Sequence, residues 1–504
     1  MRSKRVIYNI VTNIILQLIS IIYGFIVPKI IISEFGSDVN GLVSSITQFL
    51  AYITLLESGF GPVIKATLYK PIAKKDSKAI ADILRTSERF FRRIAWVFVL
   101  YIVILFFVYP FIVDKTFNPA FTIAMIAIMG LSKFAEYFFG MTYRLYLQAE
   151  QKLYITSIIQ AIAYIANALL IVFMAMAGSD ILLIELISGL IFMLRTILQN
   201  IYVKKKYKIN LASASPNYRI KHKWDGLAQH IAATIHENTD ITILTLFRSL
   251  SEVSVYSVYY LVITGIRRLI RSFSDGIDSL FGDMIANDES ENLNKVFSPY
   301  ETVYALISTI IFSCTIVLIV PFIAIFTQNV TDADYIRPIF GTLLVVSEYV
   351  WAIRQPYNLL IKASGHFKET RKGAWVESVI NILVSVVLVN QLGIIGVAIG
   401  TVTAMSVRTI EFVYHANKHI LHRSIWESAR RIIIAAIETA IIVWACNYLP
   451  YLENTNYINW ALNAMEVVIA STAISLVASV VIFRKDFREM KTFLKNITKR
   501  KKND

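Results

Sequence analysis

The chain has 504 residues, of which 56% are hydrophobic and 17% are charged, and its formal net charge is +15. Typical globular domains are about 45–50% apolar and about 25% charged, so this composition excludes an ordinary soluble protein. The apolar residues form repeated blocks of about 20 or more, which is the helix length that crosses a bilayer core of roughly 30 Å. Both cysteines, Cys314 and Cys446, lie inside such blocks and predict no disulfide framework.

These blocks predict an all-α integral membrane protein with about fourteen transmembrane helices. The first block follows a short basic N-terminus and is too long for the apolar core of a signal peptide, so it is predicted to be a retained span. In chain order, the predicted spans are 6–33, 40–64, 94–113, 119–142, 154–177, 180–203, 227–248, 253–281, 299–326, 336–361, 373–391, 393–417, 431–449 and 459–483.

The distribution of basic residues predicts the orientation of the spans. With the N-terminus in the cytoplasm, 39 of the 50 lysines and arginines fall in cytoplasmic segments, and only Lys29, Lys115, Arg248 and Arg337 fall on the outside. This bias follows the positive-inside rule and predicts that both termini are cytoplasmic. The positive charge is therefore interpreted as a membrane-orientation signal, satisfied by anionic lipids, and not as a nucleic-acid signal.

A weak internal repeat divides the predicted spans into two sets of six. At an offset of 214 residues, Thr156 aligns with Thr370 and Asn167 aligns with Asn381. Parallel repeats of this kind are typical of transporters that bind their substrate between two halves. The predicted organisation is an N-lobe over 1–203, a cytoplasmic linker over 204–226, a C-lobe over 227–417, two further spans over 418–483 and a basic cytoplasmic tail over 484–504.

Three arginines near the middle of span 8, Arg267, Arg268 and Arg271, are the sharpest functional signal. Ionisable groups at this depth cost at least about 2.5–3.5 kcal/mol each, so they normally face a bundle interior or a wet cavity. Because guanidinium groups bind phosphate oxygens bidentately, the cluster predicts a site for the diphosphate of a lipid-linked sugar. The alternative is that the arginines pair with acids of other helices, namely Glu57, Glu237 or Asp240.

Two other sets of charged residues within predicted spans are expected to pair locally. Lys133 with Glu136 on span 4, and Arg408 with Glu411 on span 12, are spaced i, i+3 and therefore share a helix face.

Two weaker sets of polar residues complete the candidate sites. Asn13 and Gln17 on span 1, with Gln48 and Glu57 on span 2, suit sugar hydroxyls, and equally suit hydrogen bonds between helices. The oxygen-bearing residues of spans 7, 11 and 12 could form a small site for a hard cation such as sodium, or could only bridge helices. These residues are Asp240, Asn381, Ser385 and Thr401. The sequence predicts no cofactor, no catalytic set and no Walker-type phosphate loop.

The segment from Phe35 to Leu42, FGSDVNGL, and the segment from Leu55 to Gly61, LLESGFG, resemble the first two spans of polysaccharide repeat-unit flippases. Those Wzx-type proteins belong to the multidrug/oligosaccharidyl-lipid/polysaccharide exporter (MOP) superfamily. The junction Gln148-Ala149-Glu150 and the count of twelve plus two spans also fit this resemblance. The resemblance implies two pseudo-symmetric six-helix lobes around a central cavity, alternating access, and an undecaprenyl-diphosphate-linked glycan as cargo.

The resemblance also implies roles for particular residues. Cavity arginines that hold the diphosphate in related lipid flippases correspond here to Arg267, Arg268 and Arg271, and the sodium site of some relatives falls on Asp240, Asn381, Ser385 and Thr401. Span 1 has no basic residue before Lys29, which departs from relatives that use an arginine there and argues against a peptidoglycan-precursor role.

The sequence therefore predicts a flippase, and not an enzyme, in the bacterial cytoplasmic (inner) membrane. Its cargo would be a repeat unit of capsule, exopolysaccharide or O-antigen type, its partners would include membrane lipids and polysaccharide polymerase machinery, and coupling to sodium, protons or membrane potential stays open. The first alternative is a drug/cation antiporter of the same superfamily, for which acids in the cavity would be expected. The second alternative is a membrane-embedded glycan polymerase or transferase, which would usually need a larger outer loop than these spans leave.

Overall fold

The computed structural model describes residues 2–57, 60–113, 116–207, 209, 214–215, 227–274, 278–287, 290–366, 368–449, 452 and 456–489. These residues form helices and turns and include no β-strand. The predicted all-α membrane class is therefore confirmed.

The chain forms two compact units, and the first comprises Met1–Ser257 with Val330–Ala333. The boundary between the units falls within α11, the last helix that begins in the first unit. The helices that begin in this unit are α1 Arg2–Phe35, α2 Ser37–Ala51, α3 Thr54–Glu57, α4 Phe60–Lys74, α5 Ser77–Ile112, α6 Pro119–Ala135, a π-helical turn Glu136–Gly140, α7 Met141–Ala149, α8 Leu153–Met176, α9 Ile181–Tyr207, α10 Leu227–Phe247 and α11 Leu250–Ser274.

The second unit comprises Val258–Asn329 and Asp334–Asp504. Its helices after α11 are α12 Asp278–Ala286, α13 Ser290–Phe326, α14 Pro338–Ile353, α15 Gln355–Ala363, α16 Arg371–Leu392, α17 Ile394–His419, α18 Ile425–Cys446 and α19 Tyr457–Ile482. The predicted lobe boundaries differ from the bounds of these units and stay a prediction.

Within the described residues, eleven helical segments are long and apolar enough to cross a membrane. The other three predicted spans correspond to α10, to α14 followed by α15, and to α18. α14 has only 16 residues, and α18 carries Glu427, Arg430, Arg431 and Glu438. Because α14 is short and α18 carries four charges, neither helix contains the long uncharged apolar stretch that the eleven segments share.

Within the described residues, predicted spans 2 and 10 are each interrupted. In span 2 the described break lies at Tyr52 and Ile53, and α4 runs from Phe60 through Pro62. The Tyr52 hydroxyl lies 2.8 Å from the Thr242 hydroxyl of α10, which holds the chain at this break.

Span 10 is also divided in two, at Arg354. α14 ends at Ile353, and α15 begins at Gln355 with Pro356 in its first turn. Proline lacks the N–H that would continue the hydrogen-bond ladder of the preceding helix, so it is tolerated at this position only because a new helix starts there.

The resemblance motif around Asn40 and Gly41 is explained by a close helix approach within the first unit. Asn40 Nδ2 donates to Ser254 Oγ at 2.7 Å, and both side chains are buried. A Cβ at Gly41 would lie 2.6 Å from the carbonyl carbon of Leu250. Because only glycine leaves room for this backbone contact, the Asn-Gly pair positions α2 against the start of α11.

The predicted linker lies outside the described residues except at 204–207, 209 and 214–215, and the predicted tail lies outside them except at 484–489. At 204–207 the chain still belongs to α9. The short described piece at 214–215 docks on α5, where the backbone N–H of Ser215 donates to Asp82 Oδ1 at 2.5 Å and Arg85 donates to the Ala214 carbonyl at 3.3 Å.

Candidate functional site

The first arginine of the predicted diphosphate site, Arg267, forms a buried ion pair with Glu348 of α14. Its Nε donates to Glu348 Oε2 at 2.9 Å, and its Nη2 donates to the other carboxylate oxygen. The Arg267 side chain is 11% exposed and that of Glu348 is 3% exposed. The sequence offered Glu57, Glu237 or Asp240 as the acidic partner. For Arg267 that prediction is wrong, because its partner is Glu348.

An aromatic ring joins two of the three arginines. The guanidinium carbon of Arg267 lies 5.0 Å from the ring centroid of Trp351, and that of Arg271 lies 5.5 Å from the same centroid. Residues four apart share a helix face, which accounts for their meeting on one ring. Glu348 neutralises Arg267, and the side chains of Arg268 and Arg271 are exposed on the surface of the second unit.

Three more charged residues at membrane depth in the second unit, Arg354, Glu377 and Arg408, also take part in ion pairs. Arg354 donates to Glu377 at 2.6 Å, and Arg408 donates to Glu411 at 2.5 Å. The pairing of Arg408 with Glu411 confirms the local i, i+3 pair expected from the sequence. Arg408 also lies 3.7 Å from Glu377, so α14, α16 and α17 are connected by one buried ionic network.

The four residues predicted to contact the glycan occupy different environments in the first unit. Asn13 and Gln17 are exposed on α1. Gln48 hydrogen-bonds to Asn238 of α10, which supports the helix-bridging alternative for this residue. Glu57 is half-buried, and among the described residues its Oε2 accepts no hydrogen bond.

Asn13 borders a cavity of about 260 Å³ in the first unit. Most of its lining comes from α1, the π-helical turn with α7, α8 and α9. The lining residues include Asn13, Glu136, Arg144, Thr156, Gln160, Arg195 and Gln199. Amides, a hydroxyl and guanidinium groups around one cavity can bind both sugar hydroxyls and phosphate oxygens.

Arg144 and Arg195 give this cavity a net positive charge. Glu136 accepts from Arg144 Nη1 at 2.9 Å and lies 3.5 Å from Lys133, so the predicted i, i+3 pair exists and is shared with a third residue. Arg195 approaches the ring of Phe192 at 5.9 Å. The sequence did not single out Arg144, because the predicted span 4 ended at residue 142 and placed it in a loop.

Helix geometry explains how Arg144 reaches Glu136. It follows Glu136 by eight residues, and an extra residue in a π-helical turn changes which residues share a face. The turn at Glu136–Gly140 lies directly between these two residues and brings them within ion-pair distance. π-helical turns are frequent at functional sites.

The residues of the predicted sodium site are divided between the two units. In the first unit, the Tyr256 hydroxyl donates to Asp240 Oδ2 at 2.8 Å. In the second unit, Asn381 Nδ2 donates to Thr401 Oγ1 at 3.0 Å, and Ser385 and Thr401 both donate to the Val397 carbonyl. The bonds from Asn381 and Ser385 connect α16 to α17, where a Cβ at Gly400 would lie 2.9 Å from the Ser385 backbone nitrogen. They support the helix-bridging alternative, and the cation site stays a prediction.

No protein-family profile and no curated protein matches this chain. Solved structures do match it. The lipid II flippase MurJ in an inward closed conformation superposes with a TM-score of 0.68 and 14% identity, over 95% of this chain and 99% of that chain. The chain has the fold of the MOP transporters.

Two further structures carry the same fold. An inward-facing multidrug resistance MATE family transporter of the MOP superfamily matches with a TM-score of 0.63 and 15% identity, over 80% of this chain and 94% of that one. A MOP superfamily transporter from Pyrococcus furiosus, described with a binding pocket of reversed polarity, matches with a TM-score of 0.57 and 16% identity, over 84% of this chain and 97% of that one. These neighbours are transporters and flippases, and the chain shares their multi-helix fold.

Proposed function

We propose that this protein is a flippase that moves a polyprenyl-diphosphate-linked oligosaccharide across the bacterial inner membrane by alternating access. The cargo would be a repeat unit of capsule, exopolysaccharide or O-antigen type, which a polysaccharide polymerase then elongates. Both termini would be cytoplasmic, because that orientation places 39 of the 50 basic residues inside.

The observation that carries the proposal is the arginine cluster of α11 in a chain with a flippase fold. Arg268 and Arg271 are exposed and Arg271 approaches Trp351, so guanidinium donors and an indole ring are accessible side by side. A diphosphate carries several acceptor oxygens, and charge-assisted hydrogen bonds to arginine are about twice as strong as neutral ones. The fold supports transport, and the cluster supports an anionic cargo.

The same features weigh against the two alternatives. A drug/cation antiporter would attract its cargo with acids, whereas the first-unit cavity carries Arg144 and Arg195 against Glu136 alone. The TM-score of the MATE family transporter is similar to that of the lipid II flippase, so the fold alone does not favour a flippase over an antiporter. The positive charge of these side chains supports the flippase. A polymerase would need a catalytic acid or base, and the neighbouring folds are those of transporters and flippases.

The test uses a strain from which the gene is deleted, in which the lipid-linked repeat unit should accumulate on the cytoplasmic face. Wild-type protein should restore export. The double variant Arg268→Gln with Arg271→Gln should reduce export at an unchanged membrane level, because both side chains are exposed. Arg271→Lys should restore export only in part, since an ammonium lacks the planar fork of guanidinium.

Lys372→Gln provides the matched control, because Lys372 is also an exposed basic residue of the second unit but lies in the first turn of α16. Its export should equal that of the wild type. Full export by the double arginine variant would reject the diphosphate site. A deletion strain that accumulates no lipid-linked glycan but loses resistance to cationic drugs would reject the flippase in favour of the antiporter.

A further inference from the structure

The ends of three helices surround a cavity of about 500 Å³ in the second unit. The first turns of α13 contribute Asn294, Lys295 and Ser298, the first turns of α18 contribute Trp426 and Arg430, and the chain just after α19 contributes Lys485. None of these residues belongs to the arginine cluster of α11, so this cavity is a separate feature of the second unit.

The floor of this cavity is a built ionic network. Arg423, with a side chain 7% exposed, donates to Glu301 at 2.6 Å. Arg431, with a side chain 8% exposed, donates to Asp486 at 3.0 Å, and Thr302 donates to the same aspartate at 2.6 Å. These bonds join α13, α18 and the segment after α19, so the cavity has fixed walls.

The rim of the cavity is basic. Its lining contains five basic side chains, at 295, 423, 430, 431 and 485, and three acidic ones, at 427, 486 and 489. Glu301, which pairs with Arg423 in the floor, adds a fourth acid and leaves one positive charge in excess. Lys295 and Arg430 are exposed at this rim, and the Arg430 guanidinium approaches the Phe483 ring at 5.9 Å. Exposed cations above a fixed floor form a site for a phosphate group.

One face of α18 places this rim at the membrane surface. Ile433, Ile437 and Trp444 lie 7, 11 and 18 residues after Trp426, which puts the four on one stripe of the helix, and all four are exposed. The two tryptophans lie 18 residues apart, or about 27 Å at 1.5 Å per residue, close to the roughly 30 Å of a bilayer core. Tryptophan is enriched at both membrane interfaces, so Trp426 marks interfacial depth.

We propose that this cavity binds the phosphate-bearing headgroup of an anionic membrane phospholipid, whose acyl chains lie along the exposed stripe of α18. The basic rim recognises the phosphate, and the apolar stripe below it distinguishes a lipid from a free phosphate ion. Basic pockets between membrane helices are known to take anionic lipid headgroups. This site is independent of the cargo proposed above.

The test measures tryptophan fluorescence of the purified full-length protein in detergent during titration with phosphatidylglycerol brominated near the glycerol end of its chains. Bromine quenches indoles that it approaches, so Trp426 should be quenched. Trp426→Phe should remove that component while the other tryptophans respond as before. Brominated phosphatidylcholine should quench this component at least about fivefold less effectively, because it carries no net negative charge.

The double variant Lys295→Gln with Arg430→Gln should raise the half-quenching concentration at least about fivefold, which corresponds to roughly 1 kcal/mol. The double variant Lys205→Gln with Lys372→Gln, at exposed basic residues of other helix ends, should leave it unchanged. Arg430→Lys keeps the charge and should bind nearly as the wild type does. Unchanged quenching in Trp426→Phe or in the rim variant would overturn the proposal, as would displacement of the lipid by an equal concentration of inorganic phosphate.

Discussion

The ion pair between Arg267 and Glu348 makes a prediction that separates a structural role from a role in cargo binding. Arg267→Ala leaves Glu348, only 3% exposed, without the guanidinium that now donates to both of its oxygens. Removing one partner of a buried pair typically costs about 3–5 kcal/mol. Loss of the approach to Trp351 adds about 0.5–2 kcal/mol.

A loss of this size should be visible as protein abundance in the membrane. A destabilisation of about 1–2 kcal/mol already changes abundance several-fold, so Arg267→Ala should fall well below the wild type. Arg248→Gln is the matched control, because the Arg248–Glu252 pair has side chains 34% and 24% exposed. Exposed pairs contribute about 0.2–1 kcal/mol, and the abundance of this control should change little.

The decisive variant removes both charges. Arg267→Met with Glu348→Leu replaces the buried pair by apolar side chains, which is often neutral for stability. Abundance, measured by quantitative immunoblotting of membranes, should therefore return close to the wild-type level. If Arg267 also binds the diphosphate, glycan export should stay low in this double variant.

Two results would refute this reasoning. If Arg267→Ala is as abundant as the Arg248→Gln control, the ion pair does not stabilise the second unit. If the double variant restores both abundance and export, Arg267 is a structural partner of Glu348 alone, and diphosphate binding would be left to Arg268 and Arg271.

Three further predictions follow from other features. Gly41→Ala should lower abundance, at a cost of about 1–3 kcal/mol for overpacking against Leu250, whereas Gly265→Ala, whose Cβ would meet no atom within 4 Å, should not. Cysteines introduced at 213 or 501 should resist membrane-impermeant reagents in intact cells, and labelling of either would reverse the assigned orientation. If sodium binds at Asp240, Asp240→Asn should weaken sodium-dependent transport, and wild-type transport that is equal with and without sodium would exclude that coupling.

The sequence alone determined the class of the molecule and the position of most membrane helices. A bilayer has one thickness, so each apolar block of about 20 residues must be a span wherever its neighbours lie. The helical period also identified local pairs such as Arg408 with Glu411, since residues three apart share a face whatever the tertiary structure is. The connection over 65–93, expected as a loop, is instead largely helical in α4 and α5, because hydropathy reports membrane depth and not where a helix ends.

The pairing between helices was decided by the tertiary structure. Glu348 lies 81 residues from Arg267, and nothing in a periodic pattern says which of several spans supplies the acid. The register change at Glu136–Gly140 is equally invisible in the period, yet it brings Arg144 to Glu136 and shapes the cavity beside Asn13. The sequence pattern and the bilayer thickness determine the length and the faces of each helix separately. A buried charge, in contrast, must pair with a group on a neighbouring helix, and which helices are neighbours depends on the packing of the whole bundle.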